Sequence, residues 1–302
     1  MAGSNFLLKG ILIPVITPFD EKGMVDEPIL RKLVDFYLNA SVQGLFALGS
    51  SGQGPVMSIA ERKRAAEIVI SQAAGKVPVI VHVGTADTSS TIELAQHADE
   101  KEAKAIGVIP PYYYSDHSEF EILAHFSAVA ETTNLPIFIY ENPKYSGISI
   151  SPQLGQKMKE KIPTIKGIKV AYGAGAMLDY IKLFPEDVSV FTGNADIFGL
   201  VPFGVAGMIN PPTSFVPELC VELWKTLEQE KYHDAVALQR RVNAVAQIVI
   251  RNIKLYGRAT VAETFRMRGI PIKKFPKWEA KPLPQAARET MYRDLKRGGF
   301  VE

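Results

Sequence analysis

The sequence predicts an α/β fold in which eight parallel strands alternate with helices and close into a barrel, followed by further helices. Short apolar runs rich in β-branched residues alternate with longer segments of helical period as far as Glu230. These runs are apolar almost throughout, as expected of parallel strands covered on both faces. After Glu230 the pattern is purely helical, which predicts helices packed against the strand-containing part.

Eight runs predict the strands of the barrel. In order they read "GILIPVITPF", "GLFALG", "VPVIVHVG", "AIGVIPP", "LPIFIYENP", "TIKGIKV", "VSVFTG" and "GVAGMIN". Eight strand-then-helix units are typical of a (β/α)₈ TIM barrel. The alternative is an open doubly wound sheet, but the G-x-G-x-x-G expected after its first strand is missing.

A helix is predicted after each strand. Ser58 lies three residues before Glu61, a spacing typical of a helix N-terminus. The other helices of the barrel are predicted near Glu27–Ala40, from Thr88, from Ser118, from Ser151, near Met177–Phe184, after Asp196 and near Val216–Gln229. The C-terminal helices are predicted at Tyr232–Tyr256, Thr260–Arg268 and Pro284–Arg297. We therefore expect a catalytic barrel over residues 1–230 and a helical region over 231–302.

Composition excludes several classes of function. Of the 302 residues, 47% are hydrophobic and 22% charged, the net charge is +2, and no long Lys/Arg block occurs. Binding to nucleic acid or to an anionic membrane therefore has no electrostatic support. No apolar run reaches the length of a membrane span. Pro14 and Pro18 interrupt the apolar N-terminal segment and argue against a signal peptide, so we expect a cytoplasmic protein.

Cysteine and histidine give no sign of a metal centre. Cys220 is the single cysteine, which excludes an intrachain disulfide, and it lies in an apolar helical segment where we expect it to be buried. The five histidines show no ligand spacing. His82 lies in a predicted strand and is expected in the core, whereas His97 and His125 are expected on helix surfaces. We therefore expect no metal and no cofactor.

The sixth run, "TIKGIKV", carries two lysines, and strand alternation separates them. Ile168 and Val170 suit the side facing the helices, so Gly167 and Lys169 should face the barrel interior. Lys166 lies near the start of the strand, at the opposite end from the active site of such barrels. An inward lysine could form a structural ion pair with a carboxylate. Withdrawn from water, it could instead attack a ketone and form a Schiff base.

The ends of other strands supply candidate partners for Lys169. The fifth strand ends at Tyr140, whose phenol could transfer protons. The second is followed by Ser50 and Ser51 between glycines, where hydroxyl and backbone donors suit a carboxylate. The fourth is followed by "PPYYYSD", whose three tyrosines suggest an aromatic lid or an interface.

In combination and order, four motifs resemble those of the dihydrodipicolinate synthase and N-acetylneuraminate lyase family of class I, Schiff-base aldolases. They are "VITPF", "GSSGQGP", "YENPKYSG" and "GIKVAYG", and the resemblance runs from about Leu8 to Leu227. It implies that Lys169 forms the Schiff base, that Tyr140 is the catalytic phenol, and that Ser50 and Ser51 bind the carboxylate of pyruvate. It also implies a (β/α)₈ barrel with C-terminal helices and a homotetramer.

Further residues take roles from the same resemblance. Tyr113 is the candidate proton relay, contributed from a neighbouring subunit, and an adjacent tyrosine of "PPYYYSD" is the alternative. Thr17, Gly193 and Asn210 are candidates for substrate binding. The implied reaction forms or cleaves a C3–C4 bond between pyruvate, or another 2-keto acid, and an aldehyde. The loop "GQGPVMS" is closest to that of 2-keto-3-deoxygluconate-type aldolases.

Departures from the family pattern bear on the substrate. Tyr145 stands where dihydrodipicolinate synthases carry an arginine for a dicarboxylic substrate, which argues against that activity. Ala195 stands where sialic-acid lyases carry an aspartate. Glu141 follows Tyr140 and displaces the usual asparagine to Asn142. Two alternatives stay open: a dehydratase of 2-keto-3-deoxy sugar acids that uses the same lysine, and a catalytically weak barrel that only binds a keto acid.

Overall fold

The computed structural model describes residues 6–171 and 174–302. Its eight strands pair in parallel in chain order, and β8 pairs with β1 to close the barrel. The strands are β1 (Gly10–Pro14), β2 (Gly44–Ala47), β3 (Val79–His82), β4 (Ala105–Val108), β5 (Ile137–Glu141), β6 (Ile165–Val170), β7 (Ser189–Thr192) and β8 (Gly207–Met208). The predicted (β/α)₈ TIM barrel is confirmed, and closure excludes the open sheet.

The helices follow the predicted order with small shifts at their ends. They are α1 (Glu27–Asn39), α2 (Ile59–Ala73), α3 (Thr88–Glu100), α4 (Glu119–Ala130), α5 (Pro143–Ser146), α6 (Pro152–Lys161), α7 (Ala174–Leu183), α8 (Pro217–Glu228), α9 (Tyr232–Tyr256), α10 (Ala259–Arg266) and α11 (Gln285–Arg297). Ser58 and Ser118 form capping boxes with Glu61 and Glu121. The short α5 was not predicted.

One predicted helix is wrong. The segment after Asp196 forms a single 3₁₀ turn at Val201–Phe203. Pro202 lacks a backbone N–H, and Gly204 follows with a φ of 94° that ends the turn. Proline and a left-handed glycine this close together leave no room for an α-helix.

The C-terminal helices pack against the last unit of the barrel. Helix α9 contacts α8 and the 3₁₀ turn at Pro211–Thr213, while α10 and α11 both pack against α9. This arrangement brings the residue before α10, Arg258, towards the end of the barrel where the strands finish. The division of the chain at residue 230 stays a prediction.

The barrel has an outer core between strands and helices and an inner core along its axis. The inner core consists of ten buried residues: Leu12, Phe46, Ile80, Ala105, Ile109, Phe138, Tyr140, Phe191, Ala206 and Ile209. Gly167 also faces inward, because a Cβ there would overlap the Phe138 ring. Glycine at 167 therefore makes the space that a large aromatic side chain fills.

Two histidines lie where they were not expected. His97 and His125 were expected on helix surfaces but are only 8% and 4% exposed. His97 Nε2 lies 3.1 Å from Glu67 Oε1, and His125 Nδ1 lies 2.9 Å from Thr88 Oγ1. Helix α3 packs between α2 and α4, so neighbouring helices cover both imidazoles.

Two other expectations concern Cys220 and the membrane. Cys220 is fully buried as predicted, and burial raises the pKa of its thiol to about 12. In the part of the chain that the structure describes, no helix is both long and apolar enough to cross a membrane.

Candidate active site

Lys169 lies inside the barrel near the end of β6 and is only 3% exposed. Its Nζ is 4.5 Å from the centroid of the Tyr140 ring and 5.1 Å from that of Phe46. Tyr140 and Lys169 are direct partners in the register of β5 and β6. The ammonium therefore lies among aromatic faces at the end of the barrel where active sites of this fold are found.

A bulge in β6 places the other lysine differently. The register between β5 and β6 shifts at Ile137/Phe138, so that Ile137 pairs with Ile165 and Phe138 with Gly167. Uninterrupted alternation along β6 would place Ile165 on the inward face together with Gly167, but Ile165 packs in the outer core. Lys166 is the extra residue, and its Nζ donates a hydrogen bond to Asp187 Oδ2 at 2.6 Å. Asp187 lies just before β7, at the opposite end of the barrel from the candidate site.

The Tyr140 phenol is held by two polar neighbours. Its Oη accepts a hydrogen bond from Asn142 Nδ2 at 2.7 Å and lies 3.2 Å from Ser50 Oγ. Burial raises the pKa of this phenol, but the charge of Lys169 and the hydrogen bonds outweigh that effect and leave the pKa below its ordinary value. A buried phenol that readily releases a proton suits general acid–base chemistry.

The loop after β2 brings the serines to this phenol. Ser50 faces Tyr140, whereas Ser51 lines a small cavity of about 50 Å³ together with Ile16 and Phe215. The loop is compact because a Cβ at Gly54 would overlap the carbonyl oxygen of Leu48. The two serines thus lie in one tight turn, with different surroundings.

The remaining candidates for substrate binding lie at other strand ends. Gly193 donates its N–H to the Val170 carbonyl at 2.7 Å, and its own carbonyl accepts from Asn210 Nδ2 at 2.9 Å. These bonds join the ends of β6, β7 and β8. Thr17 is 2% exposed and follows β1.

Tyr113 is not brought to the other candidates within one chain. Its side chain is 84% exposed, its φ is 90°, and its ring packs edge-on against Tyr114, with centroids 5.1 Å apart. The neighbouring Tyr112 instead lines a cavity that Ser50 also lines. A role for Tyr113 in chemistry would therefore require a second subunit.

Glu141 is buried and held within its own loop. Its Oε2 accepts from the Ile150 N–H at 2.9 Å and its Oε1 accepts from Ser149 Oγ at 3.0 Å. This carboxylate therefore ties the segment after α5 to the end of β5. Asn142, one place later, contacts Tyr140. The last residue of "GIKVAYG", Gly173, lies outside the described residues.

A cavity of about 210 Å³ opens beside the Ser50–Tyr140 pair. It is lined by Ser50, Gln53, Pro55, Val56, His82, Ile109, Tyr112, Tyr145, Arg258 and Trp278. Arg258 and Trp278 come from the C-terminal region, and sequence reasoning missed both. Neither belongs to a local motif, so no sequence signal pointed to them. Among the described residues, no group of three or more His, Cys, Asp or Glu side chains could hold a metal ion.

A comparison with protein families accounts for this arrangement. The sequence model of the dihydrodipicolinate synthetase family matches residues 7–297 of this chain. The chain belongs to this family. The family consists of lyases with the fold of class I aldolases, so the predicted membership is confirmed.

Similar proteins of the family include 4-hydroxy-tetrahydrodipicolinate synthases. The protein of that name from Brucella abortus biovar 1 (strain 9-941) is 33% identical over 245 residues, covering 78% of this chain and 81% of the relative. The one from Methanopyrus kandleri is 29% identical over 304 residues, covering 98% of both chains. These names weigh against the inference from Tyr145, which argued against this activity.

A solved structure of the family is similar over nearly the whole chain. The crystal structure of YagE, a prophage protein of this family from E. coli K12 in complex with pyruvate, has a TM-score of 0.90 and 27% identity. The alignment covers 97% of this chain and 99% of YagE. The barrel and the C-terminal helices of this chain therefore occur together in a solved member of the family.

Proposed function

We propose that the protein is a class I aldolase that forms a Schiff base between Lys169 and pyruvate or a 2-keto-3-deoxy sugar acid. The observation that carries the proposal is the buried pair of Lys169 and Tyr140, with Nζ 4.5 Å from the ring centroid. The pyruvate bound to YagE supports the choice of keto acid. The carboxylate of the keto acid would bind the hydroxyls and backbone amides of Ser50 and Ser51, with Thr17, Gly193 and Asn210 completing the site.

The reaction follows from these positions. Lys169 Nζ attacks the C2 carbonyl, water leaves, and an iminium forms. In cleavage, Tyr140 accepts the proton of the C4 hydroxyl, the C3–C4 bond breaks, and its electron pair moves into the iminium to give an enamine. The aldehyde leaves, C3 takes up a proton, and water hydrolyses the imine to release pyruvate and the free lysine. Condensation runs through the same steps in reverse.

Tyr113 is proposed as a proton relay that acts across a subunit interface of a homotetramer. Its 84% exposure fits a side chain that serves a neighbouring copy. Mixing two variants tests this role. Tyr113→Phe and Lys169→Ala should each be inactive alone, and hybrid oligomers should recover part of the activity. Full activity of Tyr113→Phe alone would refute the relay.

Product analysis separates aldol cleavage from its alternatives. With 2-keto-3-deoxygluconate as substrate, an aldolase releases pyruvate, a dehydratase gives a dehydrated keto acid without pyruvate, and a binding protein gives neither. We expect pyruvate. Release of the dehydrated acid alone would replace the proposal by the dehydratase, which shares Lys169.

A second candidate activity is 4-hydroxy-tetrahydrodipicolinate synthesis, which the names of the relatives favour. The arginine expected in the strand-five motif is replaced by Tyr145, but Arg258 Nη2 donates to the Tyr145 hydroxyl at 2.5 Å. A guanidinium is therefore present at this position from another part of the chain. Condensation of pyruvate with an amino-acid semialdehyde to that product would establish this activity.

A further inference from the structure

The segment between α10 and α11 reaches the end of the barrel where the candidate site lies. Residues 274–278 of this segment are called the strap below. Lys274 forms two backbone hydrogen bonds with Phe19, in the loop after β1, at 3.0 and 3.1 Å. Four residues later, Trp278 lines the cavity that Ser50 also lines. The strap therefore contacts the loops that follow the first strands of the barrel.

Lys277 joins the strap to the loop after β2 and to the helix that follows this loop. Its backbone N–H donates to Gln53 Oε1 at 2.7 Å, and Gln53 is only 3% exposed. Its ammonium donates to Glu61 Oε1 in the first turn of α2 and forms an ion pair with this carboxylate. A single residue of the C-terminal region thus contacts both the loop that carries the two serines and the start of α2.

Glu61 is shared between the strap and the start of α2. Its Oε2 accepts from the Ser58 backbone N–H at 2.9 Å, as part of the capping box, while Oε1 accepts from Lys277. The side chains of Lys277 and Glu61 are 22% and 17% exposed, so salt screens this pair less than an exposed one. Burial raises the pKa of Glu61, but the hydrogen bonds from Lys277 and Ser58 outweigh that effect and hold the pKa below its ordinary value.

The backbone of the loop after β2 needs support from its surroundings. Leu48 and Gln53 have φ angles of 62° and 58°, in the left-handed region that residues other than glycine seldom adopt. Such conformations persist where the surrounding structure fixes them. The buried side chain of Gln53, two residues after Ser51, makes the hydrogen bond to the strap. The strap therefore helps to fix the loop conformation that places the serines.

We propose that Lys277 is a positioning residue that holds the loop of Ser50 and Ser51 in the conformation that binds the carboxylate of the keto acid. The inference rests on the proposed aldolase function, because it concerns the keto acid that reacts with Lys169. Lys277 acts through its two partners and not by contact with the keto acid. When its contacts are lost, only a fraction of the free protein holds the binding conformation, and the apparent affinity for the keto acid falls by that fraction.

Borohydride trapping of pyruvate on Lys169 measures this effect without any aldehyde. The trapping rate is recorded against pyruvate concentration, which gives a half-saturating concentration and a maximum rate. Lys277→Met keeps the backbone N–H and much of the side-chain length but loses the ion pair with Glu61. We expect its half-saturating concentration to rise on the order of tenfold, as for a binding conformation held by about a tenth of the free protein. The maximum rate should stay within about twofold, because bound pyruvate itself stabilises the loop.

Further variants assign the effect to the contacts of Lys277. Lys277→Arg can still pair with Glu61 and should stay close to the wild type. Glu61→Gln keeps an acceptor for Ser58 but removes the charge, so it should match Lys277→Met. The double variant should be no worse than either single change, because both remove the same pair. Gln53→Leu removes the other contact and should also raise the half-saturating concentration. Lys281→Met, the same change at an exposed position, is the control.

Hydrogen exchange follows the loop itself and does not depend on catalysis. In Lys277→Met, the backbone amides of residues 48–57 should exchange faster than in the wild type, while those of β5 and β6 should exchange at the same rate. Unchanged exchange over residues 48–57 in the folded variant would overturn the inference.

The outcomes of trapping separate this inference from the proposed function. A lower maximum rate with an unchanged half-saturating concentration in Lys277→Met would overturn the inference, since that result means only a smaller folded fraction. If the wild type is trapped on Lys169 and Lys277→Met behaves as the wild type, the inference is wrong and the aldolase proposal stands. If pyruvate is not trapped on the wild type, the aldolase proposal fails and the inference fails with it.

Discussion

Replacing Asn142 by leucine should shift the pH dependence of catalysis. The Asn142 amide donates to the Tyr140 hydroxyl at 2.7 Å, and this bond helps to keep the pKa of the phenol below its ordinary value. Leucine has a similar size and cannot donate. A hydrogen bond to a charged group contributes about 1.5–3 kcal/mol, so the loss of this bond should raise the pKa of Tyr140.

The sign follows from the role of the phenol in cleavage. Tyr140 must accept a proton, so the rate rises as pH increases through its pKa. In Asn142→Leu this rising limb of the pH profile should move to higher pH. At pH values below the pKa of Tyr140, kcat/KM should be lower than that of the wild type by roughly 10- to 100-fold. Asn134→Leu, at an exposed site before β5, is the control. An unchanged limb in a folded Asn142→Leu protein would refute the assignment of the base to Tyr140.

Three further predictions concern stability and the second lysine. Gly54→Ala should lower the free energy of unfolding in urea by more than about 1 kcal/mol, because its Cβ would overlap the Leu48 carbonyl oxygen, whereas Gly199→Ala, at a position with open space and no left-handed φ, should cost less. Lys166→Ala should leave kcat/KM unchanged, since its partner Asp187 lies at the far end of the barrel; a large loss of activity would contradict the assignment of the two lysines. Burial, then the charge of His117, lowers the pKa of His125 to about 4 in the folded protein. Between pH 6.5 and 4 the unfolded state therefore binds a proton that the folded state does not. The free energy of unfolding should fall by up to about 3 kcal/mol as the pH drops from about 6.5 to about 4. His125→Gln should flatten that part of the curve of unfolding free energy against pH, and an unaltered slope would show that other groups cause it.

The barrel and the Lys169–Tyr140 pair could be predicted because both depend on local patterns. Apolar runs separated by helical segments define the strands, and alternation along β6 identifies the inward lysine. The bulge at Lys166 could not be predicted, because it depends on how β5 and β6 pair and not on either sequence alone. The predicted inward orientation of Lys169 is observed because Lys169 lies beyond the bulge.

The part of the site that the C-terminal region contributes could not be predicted from local sequence patterns. Tyr145 suggested the loss of an arginine, yet Arg258, 113 positions later, donates to its hydroxyl. That contact arises from the packing of α9 and α10 on the end of the barrel, which no sequence period specifies. The burial of His97 and His125 has a similar origin, since neighbouring helices cover them.

The most direct test of the aldolase account is reduction with borohydride in the presence of pyruvate, followed by mass mapping of peptides. The account predicts a reduced pyruvate adduct on Lys169 in the wild type and none in Lys169→Ala, with Lys166 unmodified in both. An adduct on Lys166, or no adduct on Lys169 in the folded wild-type protein, would contradict it.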